Sequence, residues 1–107
     1  MINAIMKAAG VPYRRARFPK PPAGAYAVYM DDISTDGPDG LPLLRYHSLT
    51  VELYVKELDG PEEDNMEEAL NEYGRHYEKD GAEWDPEAQR YQINYYFEYI
   101  EKRRPTA

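Results

Sequence analysis

Residues 90–100 (RYQINYYFEYI) form the stretch that decides the fold of this chain. Large apolar or aromatic side chains alternate there with mainly polar ones. The large side chains are Tyr91, Ile93, Tyr95, Phe97 and Tyr99. A period of two places them on one face of an extended strand. The stretch therefore predicts a final β-strand in a sheet with a large, rigid aromatic surface.

Four more extended segments and two helices are predicted upstream. Residues 46–58 alternate aliphatic and polar groups and form a long strand, which pairs antiparallel with residues 25–30 across an exposed, Asp-, Gly- and Pro-rich loop at 31–42. Residues 12–18 are extended, and residues 76–84 form a strand interrupted near Asp80 and Gly81. Apolar residues at helical spacing predict a short helix that ends at Gly10 and an acidic helix that runs from Pro61 to Gly74.

These segments predict an α+β fold. We expect an antiparallel or mixed β-sheet of about four to five strands, with two helices packed on one face. The 107 residues form a single domain, 1–107, which ends in a short, flexible, basic tail at residues 102–107.

Composition excludes several kinds of site. The chain has no cysteine, so disulfides and thiolate metal sites are unavailable. It has two histidines, too few for a histidine-based zinc site unless carboxylates complete it. No apolar run is long enough to span a membrane and no secretory signal is visible, so we expect a soluble protein of a reducing cytosol.

Charge is unevenly distributed along the chain, whose net charge is -7. Residues 1–23 carry cations and no acid, whereas residues 57–72 carry acids and no cation. The candidate surface residues are Arg14, Arg15 and Arg17 on the basic side and Glu62, Glu63, Glu67 and Glu68 on the acidic helix. Subunits that meet with opposite charges would use such a division, and so would an acidic face held towards something negative. A solvated helix face beside an unrelated basic loop is the commoner origin of this pattern.

Other candidate sites are weaker. Trp84 could anchor a partner or pack on the edge of its own sheet. His47, His76 and Glu78 could meet on neighbouring strands to bind a metal or move a proton, although chance placement of surface residues is the commoner explanation. Residues 32–43 match only the first half of a calcium loop, because Leu43 stands where a bidentate Glu is needed. We expect no cofactor and no catalysis.

Several short strings together resemble one protein family. They are residues 1–5 (MINAI), 26–29 (YAVY) followed by Asp31, 51–54 (VELY) followed by the acidic helix, 77–79 (YEK), Glu83-Trp84, and 91–99 (YQINYYFEY). Their order, their spacing and the chain length are similar to those of the tail terminator proteins of long-tailed bacteriophages and prophages. These are also called tail-completion or head–tail joining proteins.

The resemblance implies structural work in a virion. Such proteins form a ring, usually a hexamer, at the head-proximal end of the tail after assembly in the cytoplasm of the bacterial host. The ring stops polymerisation of the tail-tube protein and docks on the head connector protein, and DNA passes through its lumen without specific binding. In such a ring the basic segment and the acidic helix could be the two patches of a heterologous interface, or the acidic helix could line the lumen.

Three alternatives stay open. The chain could be a head-completion or connector-stopper protein of the same machine. It could be an acidic monomeric protein-binding domain of prophage origin. It could also be a small enzyme that uses His47, His76 and Glu78.

Overall fold

Two helices and five strands build the fold in the computed structural model, which describes residues 1–36, 44–74 and 76–102. In chain order they are α1 (Ile2–Ala9), β1 (Tyr13–Arg15), β2 (Tyr26–Asp36), β3 (Leu44–Val55), α2 (Pro61–Glu72), β4 (Tyr77–Asp85) and β5 (Arg90–Lys102). The predicted α+β class and the predicted order of elements are confirmed.

The five strands form one mixed sheet in the order β1-β2-β3-β5-β4. The pairs β2–β3, β3–β5 and β4–β5 are antiparallel, and only β1–β2 is parallel. The central strand, β3, is hydrogen-bonded on both sides along its length, from Leu44 to Tyr54 against β2 and from Leu44 to Val55 against β5. The predicted pairing of the aliphatic strand with the strand before it is therefore confirmed.

Both helices cover the same face of the sheet, which we call the helix face. Ala27, Leu53 and Ile93 stand opposite one another on β2, β3 and β5, so they share this face. The helices and this face form one core, whose members include Ile5, Met6, Met66, Leu70, Leu49, Val51, Leu53, Ile93, Tyr95 and Phe97. Burying a side chain of this size contributes about 1.5–3 kcal/mol. The other side of the sheet, which carries Glu52, Asn94 and Tyr96, is called the open face.

The helix ends follow their local sequence. Gly10 closes α1 with a φ of 78°, a left-handed conformation that glycine adopts without a Cβ penalty. Gly60 is extended at the N-cap of α2, and Pro61 occupies the first turn, where no amide donor is needed. The Glu63 carboxylate reaches back to accept a hydrogen bond from the backbone N–H of Asp59.

Several predicted boundaries were wrong. Only Tyr13–Arg15 of the extended segment 12–18 is a strand, since Ala16 turns into the left-handed region with a φ of 69°. Residues 31–36, predicted as loop, continue β2, because each of them pairs with a residue of β3. The partial match to a calcium loop falls on this extended backbone over 32–36, and residues 37–43 of it lie outside the described residues. Strand β3 covers 44–55 instead of 46–58, and β5 continues through Lys102; residues 103–107 of the predicted tail lie outside the described part.

The sheet continues past its flanking strands as a three-stranded extension, formed by residues 32–36, 44–48 and 98–102. Strand β1 pairs with β2 only up to Tyr29, and β4 pairs with β5 only up to Phe97. Beyond those points β2, β3 and β5 run on together, and the molecule measures 49 × 28 × 22 Å.

Candidate functional site

The predicted basic residues lie at one edge of the sheet. Arg14 and Arg15 belong to β1, the edge strand, and Arg17 follows the turn at Ala16. All three are exposed, and the Arg14 guanidinium lies 5.8 Å from the centre of the Phe18 ring. None of the three forms an ion pair with another described residue, so their charges are available to a partner.

The predicted acidic surface of α2 is only partly exposed. Glu63 is 4% exposed and belongs to the buried side of the helix, so the prediction that it is a surface residue is wrong. Glu67 is half-buried and turns toward the sheet, Glu62 is half-buried, and Glu68 is exposed. Whether Glu62 or Glu68 contacts another subunit or a lumen stays a prediction.

A five-residue network holds α2 against the sheet. The Lys79 ammonium lies 3.0 Å from a carboxylate oxygen of Glu63 and 3.0 Å from one of Glu67. Glu67 also accepts hydrogen bonds from the hydroxyls of Tyr95, at 3.0 Å, and Tyr77, at 3.3 Å. Burial alone would raise the pKa of Glu67, but the hydrogen bonds from Lys79, Tyr95 and Tyr77 outweigh it and lower that pKa. The two acids therefore stabilise the subunit itself.

This network predicts a loss of stability in acid. The carboxylate of Glu67 has a lowered pKa in the folded chain, so its contribution is present above the unfolded value of about 4.3 and is lost as the pH falls through the folded value. We expect the urea midpoint to fall between pH 6 and pH 3, and to fall less in Glu67→Gln, which has no proton to gain there. An equal fall in both proteins would contradict a stabilising role of the ionised group.

Acidic residues also lie at the opposite edge of the sheet, and of these the sequence analysis selected only Glu78, for a different role. Strand β4 is the other edge strand and carries exposed Glu78, Asp80 and Glu83. Asp80 accepts a hydrogen bond from the N–H of Gly81 where the register with β5 shifts, which confirms the predicted interruption. The acids within residues 78–83 were visible in the sequence, but the position of β4 at the edge was not.

Trp84 lies near the end of β4 and is 49% exposed. Its ring meets the ring of Tyr91 edge to face, with centroids 5.0 Å apart. Tyr91 is partly buried against the core, so the tryptophan packs on its own sheet edge and still leaves half of its surface uncovered. Both predicted roles of Trp84 are sterically available.

The structure does not bring His47, His76 and Glu78 together. His47 shares the helix face with Tyr99, whereas Glu78 stands opposite Tyr96 on the open face, and His76 is exposed before β4 begins. Over residues 1–36, 44–74 and 76–102, no group of three or more histidine or carboxylate side chains is placed to hold a metal ion.

His47 instead belongs to a buried cluster in the extension. Its side chain is 7% exposed, and its Nδ1 atom lies 2.9 Å from a carboxylate oxygen of Asp31. A carboxylate only accepts hydrogen bonds, so the Nδ1–H group is the donor. The imidazole stacks on the Tyr99 ring at 4.3 Å with an interplanar angle of 6°. The Nε2 atom is 3.5 Å from a Glu101 carboxylate oxygen and forms no hydrogen bond. This cluster cross-links β2, β3 and β5 in and beside the extension.

The extension exposes apolar side chains on both faces. Ile33 is 45% exposed on the helix-face side, and Ile100 is 60% exposed opposite Tyr46 on the open face. The outer edges of β2 and β5 carry no strand partner in this region among the described residues. Exposed apolar groups beside unpaired strand edges are typical of surfaces that contact other proteins.

No helix in the described ranges is long and apolar enough to cross a membrane. A scan of the chain against protein-family models gives no match, and a search of the curated proteins gives none either.

Proposed function

We propose that this chain is a structural assembly protein of a phage tail, a terminator that forms a ring at the head-proximal end of the tail tube and joins the tube to the head connector. The extension supports this proposal most directly. It projects unpaired strand edges and exposed Ile33, Tyr46 and Ile100. A surface of that kind suits contact with a protein partner.

A ring also needs two different patches on each subunit that complement each other and close after a fixed rotation. The sheet offers two such patches, because its edge strands β1 and β4 carry residues of opposite charge. An interface between copies through these edges would leave the extension free for the tube or the connector.

Passage of DNA through the ring requires a lumen that does not bind phosphate. Neither of the two described helices lies over the open face, which presents Glu52, Glu78 and Glu98, so it is better suited to repel DNA than the partly buried acids of α2. The net charge of -7 acts in the same direction.

Light scattering of the purified protein, alone and with the tail-tube protein of the same phage, tests the proposal. We expect a discrete assembly of about six times the 12.5 kDa subunit, in solution or on tube ends. Ile100→Glu should weaken binding to the tube or connector by at least about tenfold, because a charge would enter an apolar contact. Leu58→Glu is the matched control, since Leu58 is also exposed but lies outside the extension.

A monomer that binds neither tube nor connector would contradict the proposal and favour the monomeric binding domain. Binding to the portal complex in place of the tube would identify a connector stopper.

A further inference from the structure

The two edges of the sheet carry unpaired charges of opposite sign. We define the β1 edge as Tyr13–Arg15 together with Arg17, and the β4 edge as Glu78, Asp80, Glu83 and Trp84. No strand pairs with the outer side of either one in the described part of the chain. An open edge strand is a place where another chain can add to the sheet.

The β1 edge presents only positive charge. Arg14, Arg15 and Arg17 are exposed, and each lacks a carboxylate partner within the described residues. Charge at such an edge opposes pairing with an identical edge, because two copies that met β1 to β1 would bring arginines together.

The β4 edge presents mainly negative charge. Glu78, Asp80 and Glu83 are exposed on it. Its cation, Lys79, points to the helix face, where Glu63 and Glu67 already compensate it at 3.0 Å each. A β4-to-β4 contact would therefore be repulsive as well, whereas a β1-to-β4 contact would be attractive.

The register of the sheet aligns the two edges. One row crosses the open face from Arg14 through Val28, Glu52 and Asn94 to Asp80. When a second copy continues the sheet in the same orientation and without a shift along the strands, its Arg14 comes level with Asp80 of the first. Neighbouring strands lie about 4.8 Å apart, so side chains in one row are within reach of an ion pair.

We propose that neighbouring copies join head to tail, with the β1 edge of one against the β4 edge of the next. On the open face Arg14 then meets Asp80, and Arg17 lies near Glu78. On the helix face Arg15 comes level with Lys79, whose charge Glu63 and Glu67 already compensate, and the uncovered half of Trp84 supplies an apolar contact. This joint rests on the proposed ring, and it assigns the acidic partner of the basic segment to β4 in place of α2. Because the two edges differ, the contact is heterologous, and its repetition gives a ring where the rotation between neighbouring copies closes.

Charge reversal in two variants tests the joint. Arg14→Glu/Arg17→Glu makes both edges negative, and Glu78→Lys/Asp80→Lys makes both positive. Each variant alone should associate at least about tenfold more weakly than the native chain. An equimolar mixture should regain assembly, because each negative edge then meets a positive one. Assembly of the native chain should also weaken between about 0.1 M and about 1 M salt, where the Debye length falls from about 10 Å to about 3 Å.

Control variants separate local from general charge effects. Lys7→Glu/Lys56→Glu and Glu68→Lys/Glu72→Lys change net charge equally at exposed positions away from both edges, and they should assemble normally. Asp80 accepts a hydrogen bond from the N–H of Gly81. Glu78→Lys/Glu83→Lys therefore repeats the charge reversal of the β4 edge with that hydrogen bond intact. Circular dichroism verifies that every variant is folded.

The outcomes distinguish the joint from the ring. Native assemblies that survive both reversals would overturn the joint and leave the ring standing, as would folded variants whose mixture fails to assemble. A native chain that never assembles, even with tube protein, would overturn the ring and the joint with it. We expect that each charge-reversed variant alone fails to assemble and that the equimolar mixture of the two assembles.

Discussion

Replacing Lys79 with alanine is expected to lower the free energy of unfolding by about 2 kcal/mol. The ammonium group is the cation that compensates Glu63 and Glu67, and the Glu63 side chain is only 6% exposed. Removing one partner of a buried ion pair costs about 3–5 kcal/mol, because the remaining charge stays buried without compensation. The Lys79 side chain is 37% exposed, so water screens the interaction. The expected loss of about 2 kcal/mol therefore lies below the range for a fully buried pair.

Urea unfolding at neutral pH measures this change. Lys56→Ala is the control, because it removes an equal charge from an exposed position. Adding Glu63→Gln to Lys79→Ala should recover part of the loss, since it removes the buried charge that the first substitution leaves behind. A loss in Lys79→Ala no larger than in Lys56→Ala would show that the network contributes nothing to stability.

The strands and helices that could be predicted from the sequence are those whose signal is local. The alternation at Leu49, Val51, Leu53 and Val55 and the aromatic alternation of β5 both depend on burying one face, and each is complete within a dozen residues. Gly10 and Pro61 likewise mark helix ends by their own backbone chemistry.

The extension could not be predicted from composition. Residues 31–36 contain three aspartates, and aspartate is depleted in strands. They are nevertheless extended because β3 supplies a hydrogen-bonding partner for each of them and β5 continues beside β3. The local preference is overridden by pairing between segments that lie far apart in the chain.

The roles of the acids on α2 were hidden for a related reason. Glu63 precedes Met66 by three positions and Leu70 by seven, so helical spacing already places it on the buried side. Its buried charge is compensated by Lys79, which comes from β4, sixteen positions later in the chain. Periodicity gave the position of Glu63, and only the tertiary structure identified its partner.

His47→Ala is expected to lower the free energy of unfolding by about 2–3 kcal/mol. The substitution removes the donor to the Asp31 carboxylate, whose side chain is 11% exposed, and an unsatisfied buried acceptor costs about 1–3 kcal/mol. It also removes the ring that stacks on Tyr99 at 4.3 Å, a contact worth about 0.5–1.5 kcal/mol beyond buried area. Ser48→Ala is the control, because Ser48 is the next residue of β3 and is exposed on the open face.

The same substitution separates a structural histidine from a catalytic one. The His47 cluster joins β2, β3 and β5 beyond the points where β1 and β4 stop pairing with them, so its loss should increase amide hydrogen exchange across the extension while leaving the helix-covered core protected. If the extension docks on the tube or the connector, His47→Ala should also weaken that binding, because the exposed Ile33 and Ile100 lose their rigid support. A catalytic histidine predicts the opposite: native stability, native exchange and native assembly. Observing those three together would remove the structural role that the geometry gives to His47.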